Sequence, residues 1–454
     1  MTAADSVAQI LGQKIAALNV ARLPSVARQR AEELVLDIAG LCLAARNTDY
    51  IGALLASWRT AGPCTAIGHA GAFDAAAAAM VNGTAAHGED FDDTFEGGPV
   101  HAGAVIVPAV LAACEQYGRD GRSALLGLVV GTEVMCRLCL VAPKAVHRAG
   151  FHPTSVFGAP GAAAGVGAAL GLDAGQLAHA FGIVGSMASG IIEYLSDGSS
   201  TKRMHPGWAA QAGLRAAVMA QHGFTGPRLV FEGAHGLFNG FARSRDGDFA
   251  ALMEHFGERW LMETIAFKPY ACGTMIHPYI DGAVRLAGRG VRAQDIVDIT
   301  CEVAEGTVHR LWEPLAAKQR PPNAYAAKFS APFCIAAAFV TGAAGLETFT
   351  ETTVNDARVQ TLAAKISYVI DPDNPYPNNY TGHLRARLRD GRVIEERQPH
   401  LRGGAHERLT RADLEAKFAR NAAFGGWSPG RAAEFARRVP ALFDGPIDLS
   451  SLRA

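Results

Sequence analysis

Between Val81 and Leu111 the chain reads VNGTAAHGEDFDDTFEGGPVHAGAVIVPAVL. This places His87, Glu89, Asp90, Asp92, Asp93, Thr94 and His101 between a small-residue segment and an apolar run, Ala104 to Leu111, that must be buried. Ionisable groups so close to a core need solvent, partners or a function, because desolvating an unpaired carboxylate is strongly unfavourable. The segment reads either as a solvated acidic helix cap or as a catalytic loop joining two core helices. Two later segments again wedge basic groups between small residues: GFHPTSVFG (Gly150 to Gly158) holds His152, and STKRMHPGWAAQAG (Ser200 to Gly213) holds Lys202, Arg203 and His205. Histidine and lysine suit proton transfer and the binding of carboxylates, since burial and neighbours bring their pKa values toward neutrality. Lys202 and His205 stand three apart and share a face if the segment is helical, giving two donors for one carboxylate. Pro153 holds the backbone of His152 extended, as in a loop that presents a side chain. Arg203 reads as a surface or partner contact.

The elements that position these groups are mostly helices. Residues 5 to 46 predict two, the second starting at Pro24-Ser25 with Ser25 as its cap. Further helices are predicted over Asp74 to Asn82, Val105 to Tyr117, Ser123 to Leu140, Gly158 to Leu170, Ala174 to Ser189 and Trp208 to His222. Their Ala and Gly content lets helix axes approach closely. After about Ala266 the character changes. Asp295 to Ala304 and Ala364 to Ile370 alternate as strands do, and Thr381 to His400 predicts a hairpin turning at Asp390-Gly391, with helices at His277 to Leu286 and Ala331 to Thr341. This describes an α+β domain over 267–400. Thr410, with Asp413 three residues on, then caps a new helix.

Composition narrows the function. A chain of 454 residues suits two domains, and 49% hydrophobic against 19% charged residues describes an ordinary globular interior. A net charge of -1 offers no electrostatic footing for nucleic acid or an anionic membrane. The N-terminus lacks the basic and apolar regions of a secretory signal, so a cytoplasmic location is expected, and Val156 to Leu172 is too short for a membrane span. The eight cysteines, Cys136 and Cys139 included, lack the spacing of a zinc or iron-sulfur site and read as reduced core thiols. No metal set is expected from the 87–101 segment, whose spacing fits neither HExxH nor a calcium loop. Gly165, Gly167 and Gly171 form an incomplete dinucleotide fingerprint with no strand before it, so no nicotinamide cofactor is expected.

Taken together, the three segments resemble the signature segments of the MmgE/PrpD family, which includes 2-methylcitrate dehydratases, cis-aconitate decarboxylases and an iminodisuccinate epimerase. The resemblance runs from about residue 6 to about residue 430. It implies a mainly α fold: a large all-helical domain from N- and C-terminal segments (1–266 and 401–454) and a smaller α+β lid domain (267–400). It also implies a homodimer and a cofactor-independent lyase that moves a proton beside a carboxylate of a small di- or tricarboxylate. Dehydration of a 2-methylcitrate-like acid is the first expectation. Epimerisation of a dicarboxylate, cis-aconitate decarboxylation and a member that only binds carboxylates are the alternatives.

Carried onto this chain, the family pattern assigns Asp90 to orient a base or hold a proton, Thr94 to donate a hydrogen bond, and His101 and His152 to acid/base work. Lys202 would bind substrate and stabilise charge, with His205, Lys268, His277 and Lys328 as further substrate contacts. His87, Asp92 and Asp93 would support these from behind. Cys272 is a weak nucleophile candidate, since the chemistry needs no covalent intermediate. Phe333 stands where some members carry a tyrosine, which bears on decarboxylation if that tyrosine is its acid.

Overall fold

Apolar positions at helical spacing fold as helices throughout the first part of the chain. The computed structural model describes residues 5–58 and 61–454; the first four residues of the N-terminal segment scanned for a signal lie outside that range. In chain order the helices are α1 (Val7–Ala16), α2 (Ser25–Ala45), α3 (Asp49–Ser57), α4 (Ala75–Gly88), α5 (Gly103–Tyr117), α6 (Gly121–Val141), α7 (Ala145–Arg148), α8 (Pro153–Leu170), α9 (Ala174–Gly185), α10 (Tyr194–Asp197) and α11 (Thr201–Gln221). Two short antiparallel pairings accompany them: β1 (Cys64–Thr65) with β2 (Ala72–Phe73), and β3 (Thr94–Phe95) with β4 (Ile265–Ala266). Residues Met1–Ala266 and Thr410–Ala454 form one unit, and Phe267–Leu409 form the other. The fold is mainly α.

Several boundaries differ from the sequence reading in ways that matter for the chemistry. Ser25 is the first helical residue, not the cap; Pro24 holds the cap position. Helix α4 runs past Asn82 to Gly88, which puts His87 in its last turn. Helix α8 starts at Pro153, directly after His152, whose φ/ψ of -82°/112° is the extended geometry required before proline. Helix α11 starts at Thr201 and carries Pro206 inside it, so Lys202 and His205 lie on its first turns.

Small residues set the spacing. A Cβ added at Gly83 would lie 2.6 Å from Gly207 Cα, and one at Gly207 would lie 2.2 Å from the Met80 carbonyl oxygen, so α4 and α11 touch backbone to backbone. Gly127 and Gly165 do the same for α6 and α8. Among the described residues α6 is the one helix long and apolar enough to cross a membrane, yet 89% of its apolar window is buried inside the protein. The cysteines are free and buried.

The second unit has a four-stranded sheet of β5 (Ile296–Val303), β6 (Ile366–Ile370), β7 (Gly382–Leu388) and β8 (Val393–Gln398), in the order β6-β5-β7-β8. Strand β5 runs parallel to β6 and antiparallel to β7, and β7 and β8 form the hairpin, with Gly391 at φ +87° in its turn. Residues 401–409 depart from the sequence reading, which placed them in the helical return. They belong to this unit because the Phe267 N–H donates to the Gly403 carbonyl and Arg402 donates to Asp281 and Tyr270. The return begins at Thr410, which caps the helix Arg411–Phe424 in a capping box with Asp413.

Candidate active site

At the end of α4 the chain turns tightly. Asp90 adopts φ +55°, a left-handed conformation that aspartate tolerates better than most residues, and its N–H donates to the His87 carbonyl at 3.0 Å. That turn sets the Asp90 carboxylate against the Lys202 ammonium at 2.5 Å. His87 Nδ1 lies 2.7 Å from Asp92 Oδ2, with both side chains fully buried. The Asp93 carboxylate accepts the Gly103 N–H at the start of α5 at 2.9 and 3.1 Å. Burial, followed by the neighbouring charge of Asp92, pushes Asp93 up to about 8.

His101 Nδ1 lies 2.6 Å from the Asp93 carbonyl oxygen, 3.6 Å from Asp92 Oδ2 and 3.4 Å from Thr94 Oγ1. A carbonyl oxygen only accepts, so Nδ1 carries the proton and Nε2 is the nitrogen that gains or loses one. Thr94 is placed by the β3–β4 pairing, and its contact is longer than that of the Asp93 carbonyl.

His152 and His205 face each other Nδ1 to Nδ1 at 3.1 Å. The His152 N–H donates to the Gly190 carbonyl, where Gly190 at φ +113° leaves no Cβ to strike Ser155. Ring centroids link the histidines: His101 to His87 at 4.9 Å, His87 to His152 at 5.6 Å and His152 to His205 at 5.3 Å. Burial, then the charges of His87, His205 and Lys202, holds His152 well below the usual imidazole range. Burial, then His87 and Lys202, lowers His205 to about 4. The chain therefore gathers Asp90, Thr94, His101, His152, Lys202 and His205 in one place. The arrangement suits proton transfer at imidazole Nε2 atoms beside a fixed cation.

Several supporting groups were not found by sequence reasoning. Lys417, from the returning helix, pairs with Asp37 at 2.7 Å and donates to the Phe91 carbonyl at 2.8 Å, bracing the loop from below. Asp37 had a signal, being one charge within the apolar run LVLDIAGL; Lys417 sits among other charged residues and had none. Arg203, which the sequence marked as a surface or partner contact, is half-buried: its guanidinium donates to the Gly88 carbonyl and lies 4.8 Å over the Tyr50 ring, fastening α11 to the end of α4. Tyr194 packs edge-on to His152 and His205.

His87, Asp92 and His101 bring one possible metal-ligand atom each within 4.8 Å of one another, a proximity that sequence spacing did not reveal. Their Nδ1 atoms are engaged by Asp92 and the Asp93 carbonyl, as in an acid/base cluster.

Lys268, His277 and Lys328 lie in the second unit, each buried there. His277 Nε2 donates to the Cys272 carbonyl at 3.2 Å, and Lys328 Nζ lies 5.6 Å from the Phe349 ring centre. Phe333 is fully buried, 6.4 Å from Phe349 between ring centres. Burial raises the Cys272 thiol well above its ordinary value, the opposite of what a nucleophile needs.

Comparison with known proteins places the chain in a family. Residues 9–250 match the MmgE/PrpD N-terminal domain and residues 270–435 match the MmgE/PrpD C-terminal domain. Cis-aconitate decarboxylase of Aspergillus terreus is 28% identical over 404 residues, covering 82% of this chain and 81% of the relative. The proteins of that name from Mus musculus and Homo sapiens are 29% and 28% identical over 354 residues, covering 76% of this chain and 71% and 72% of theirs.

Proposed function

The chain belongs to the MmgE/PrpD family, and from that premise we propose that it is a lyase that decarboxylates cis-aconitate or a closely similar tricarboxylate. The relatives carrying that activity in their names move decarboxylation ahead of the dehydration that the sequence put first. The observation that carries the reading is the string of imidazoles beside the Lys202–Asp90 pair.

The chemistry follows from the substrate. When carbon dioxide leaves the CH2-carboxylate of cis-aconitate, the electron pair of the broken C–C bond delocalises through the alkene to the carbon beside another carboxylate. An enolate-like charge develops there and must take up one proton. In this reading Lys202, held by Asp90, stabilises that charge, and His101 or His152 delivers the proton from Nε2. One carboxylate and one proton become carbon dioxide and a new C–H bond. Lys268, His277 and Lys328 are assigned to the substrate carboxylates on the family pattern alone.

Phe333 favours a second reading. It cannot supply a proton, so decarboxylation here must draw on an imidazole; if a phenol were indispensable, dehydration of a hydroxy acid would be the reaction instead.

Proton NMR of di- and tricarboxylates incubated with the protein in deuterated water, with carbon dioxide measured in parallel, tests these readings. Carbon dioxide release from cis-aconitate with one deuterium in the product is expected. Alkene formation from a hydroxy acid would select dehydration, and deuterium uptake at constant skeleton would select epimerisation. Ligand-induced stabilisation with no turnover of any compound would overturn the enzymatic reading.

A further inference from the structure

Asp90 and Asp92 stand two residues apart and aim at different partners, Asp90 at Lys202 and Asp92 at His87 and His101. Residues 89–93, between α4 and β3, form neither helix nor strand, and Asp90 takes a positive φ of 55°. A turn of that kind persists where its surroundings hold it. We infer that Lys417, on the helix that returns near the C-terminus, is the positioning residue that holds this one and sets the aim of both carboxylates, a role that rests on the chemistry proposed for Asp90, Lys202 and the histidines.

Lys417 belongs to the helix Arg411–Phe424 and is buried. Its Nζ lies 2.7 Å from Asp37 Oδ1, donates to the Phe91 carbonyl at 2.8 Å and stands 4.0 Å from the centre of the Phe91 ring. One cation therefore grips both the backbone and the side chain of the residue between the two aspartates. The carbonyl it holds belongs to the peptide unit joining Phe91 to Asp92. Because that unit is planar, fixing its oxygen fixes the direction in which the Asp92 side chain leaves the backbone. On the other side of Phe91, the Asp90 N–H is held by the His87 carbonyl.

The ion pair with Asp37 does not account for this arrangement by itself. Desolvating two charges offsets their attraction, so a pair of apolar side chains of similar volume serves the fold about as well as a buried ion pair. Apolar side chains cannot supply the donor to Phe91. The two helices that carry the pair also meet closely here. A Cβ added at Gly40, three residues along α2 from Asp37, would lie 2.9 Å from Phe418 Cδ2 and 3.3 Å from Phe418 Cα. Lys417 thus reaches the loop from a helix seated firmly against α2.

The double variant Asp37→Leu/Lys417→Met tests the tie, because it removes both buried charges together. Its melting temperature should stay near that of wild type. Its kcat for cis-aconitate should fall by roughly tenfold to 10²-fold, with KM changed by less than about threefold, since the reacting groups are present but misaimed. Nuclear magnetic resonance of protein labelled with nitrogen-15 histidine follows the aim directly. The downfield signal of the proton between His87 Nδ1 and Asp92 should move in the variant, while that of His383 on the sheet should not. A wild-type kcat in the double variant, or an unmoved His87 signal, would reduce Lys417 to a counter-charge for Asp37 and overturn the inference. Should the double variant not fold, Gly40→Ala takes its place, leaving both charges and pressing on Phe418 beside Lys417. The same drop in kcat and the same displaced signal are expected there, and wild-type values would overturn the tie. A wild-type protein that releases no carbon dioxide overturns the decarboxylase reading, and the His87 signal still decides whether Lys417 positions Asp92.

Discussion

Two histidine–carboxylate groups in this molecule use the same side chains to opposite ends. On the sheet of the second unit, His383 Nδ1 lies 2.5 Å from Glu302 and its Nε2 3.1 Å from Glu395, and Arg385 joins Glu302 at 3.1 Å. The Glu302 and Glu395 side chains are 25% and 48% exposed, and the His383 bond holds Glu302 below its ordinary range. In the helical unit, His87 and Asp92 are both fully buried, and His152 meets another imidazole instead of a carboxylate. On the sheet both ring nitrogens of His383 face carboxylates. In the cluster the Nδ1 atoms are anchored, and the Nε2 atoms remain to exchange protons. Solvent and the identity of the second partner, not the residue type, decide between a structural ion pair and a proton-transfer group.

The contrast is broken most severely at Lys202. Replacing it with alanine should lower kcat by about 10³-fold or more with an unchanged circular dichroism spectrum, because the developing charge loses its cation. Arg385→Ala on the sheet should leave kcat as it is. Near-normal turnover in Lys202→Ala would remove that residue from the chemistry.

Asp92→Asn should cost less, roughly 10²-fold in kcat with little change in KM, because it disturbs how His87 and His101 are held and not the substrate contacts. A KM effect without a kcat effect would mean that the pair acts on binding.

Acid should also separate the two regions. His205 and His152 have depressed pKa values in the fold, so the unfolded chain binds their protons first, and stability falls as pH drops from the free imidazole value near 6.5 toward about 4. Thermal unfolding between pH 7 and pH 4.5 should show this loss, and His205→Gln should flatten it. Asp93 acts with the opposite sign. Its raised value favours the protonated fold, so its contribution is lost as pH rises toward about 8, and Asp93→Asn should make stability less sensitive on that side. The smallest effect is expected at His383, where alanine should change stability by no more than about 1 kcal/mol, as partly solvated pairs do.

The residues that define the cluster were legible because ionisable side chains flanked by Gly and Ala stand out against a core. Helical periodicity was enough for α5 and α6, and Asp390-Gly391 for the hairpin. What escaped the sequence was three-dimensional. The sequence placed a helix start at Trp208, yet α11 begins seven residues earlier and carries Lys202 to Asp90. The Lys417–Asp37 brace joins positions far apart in the chain, and the Nδ1-to-Nδ1 contact of His152 and His205 leaves no local pattern.

The contact between Gly83 and Gly207 bears on how this protein tolerates change. Asp90 ends the segment that Gly83 positions, and Lys202 begins the one that Gly207 positions, so any side chain added at either glycine wedges the two apart. In a saturation screen scored by growth on product, both glycines would rank with Lys202 although neither carries a reactive atom. An inventory of sensitive positions would then overstate the number of chemical residues, and only a binding measurement could tell a misplaced lysine from an absent one.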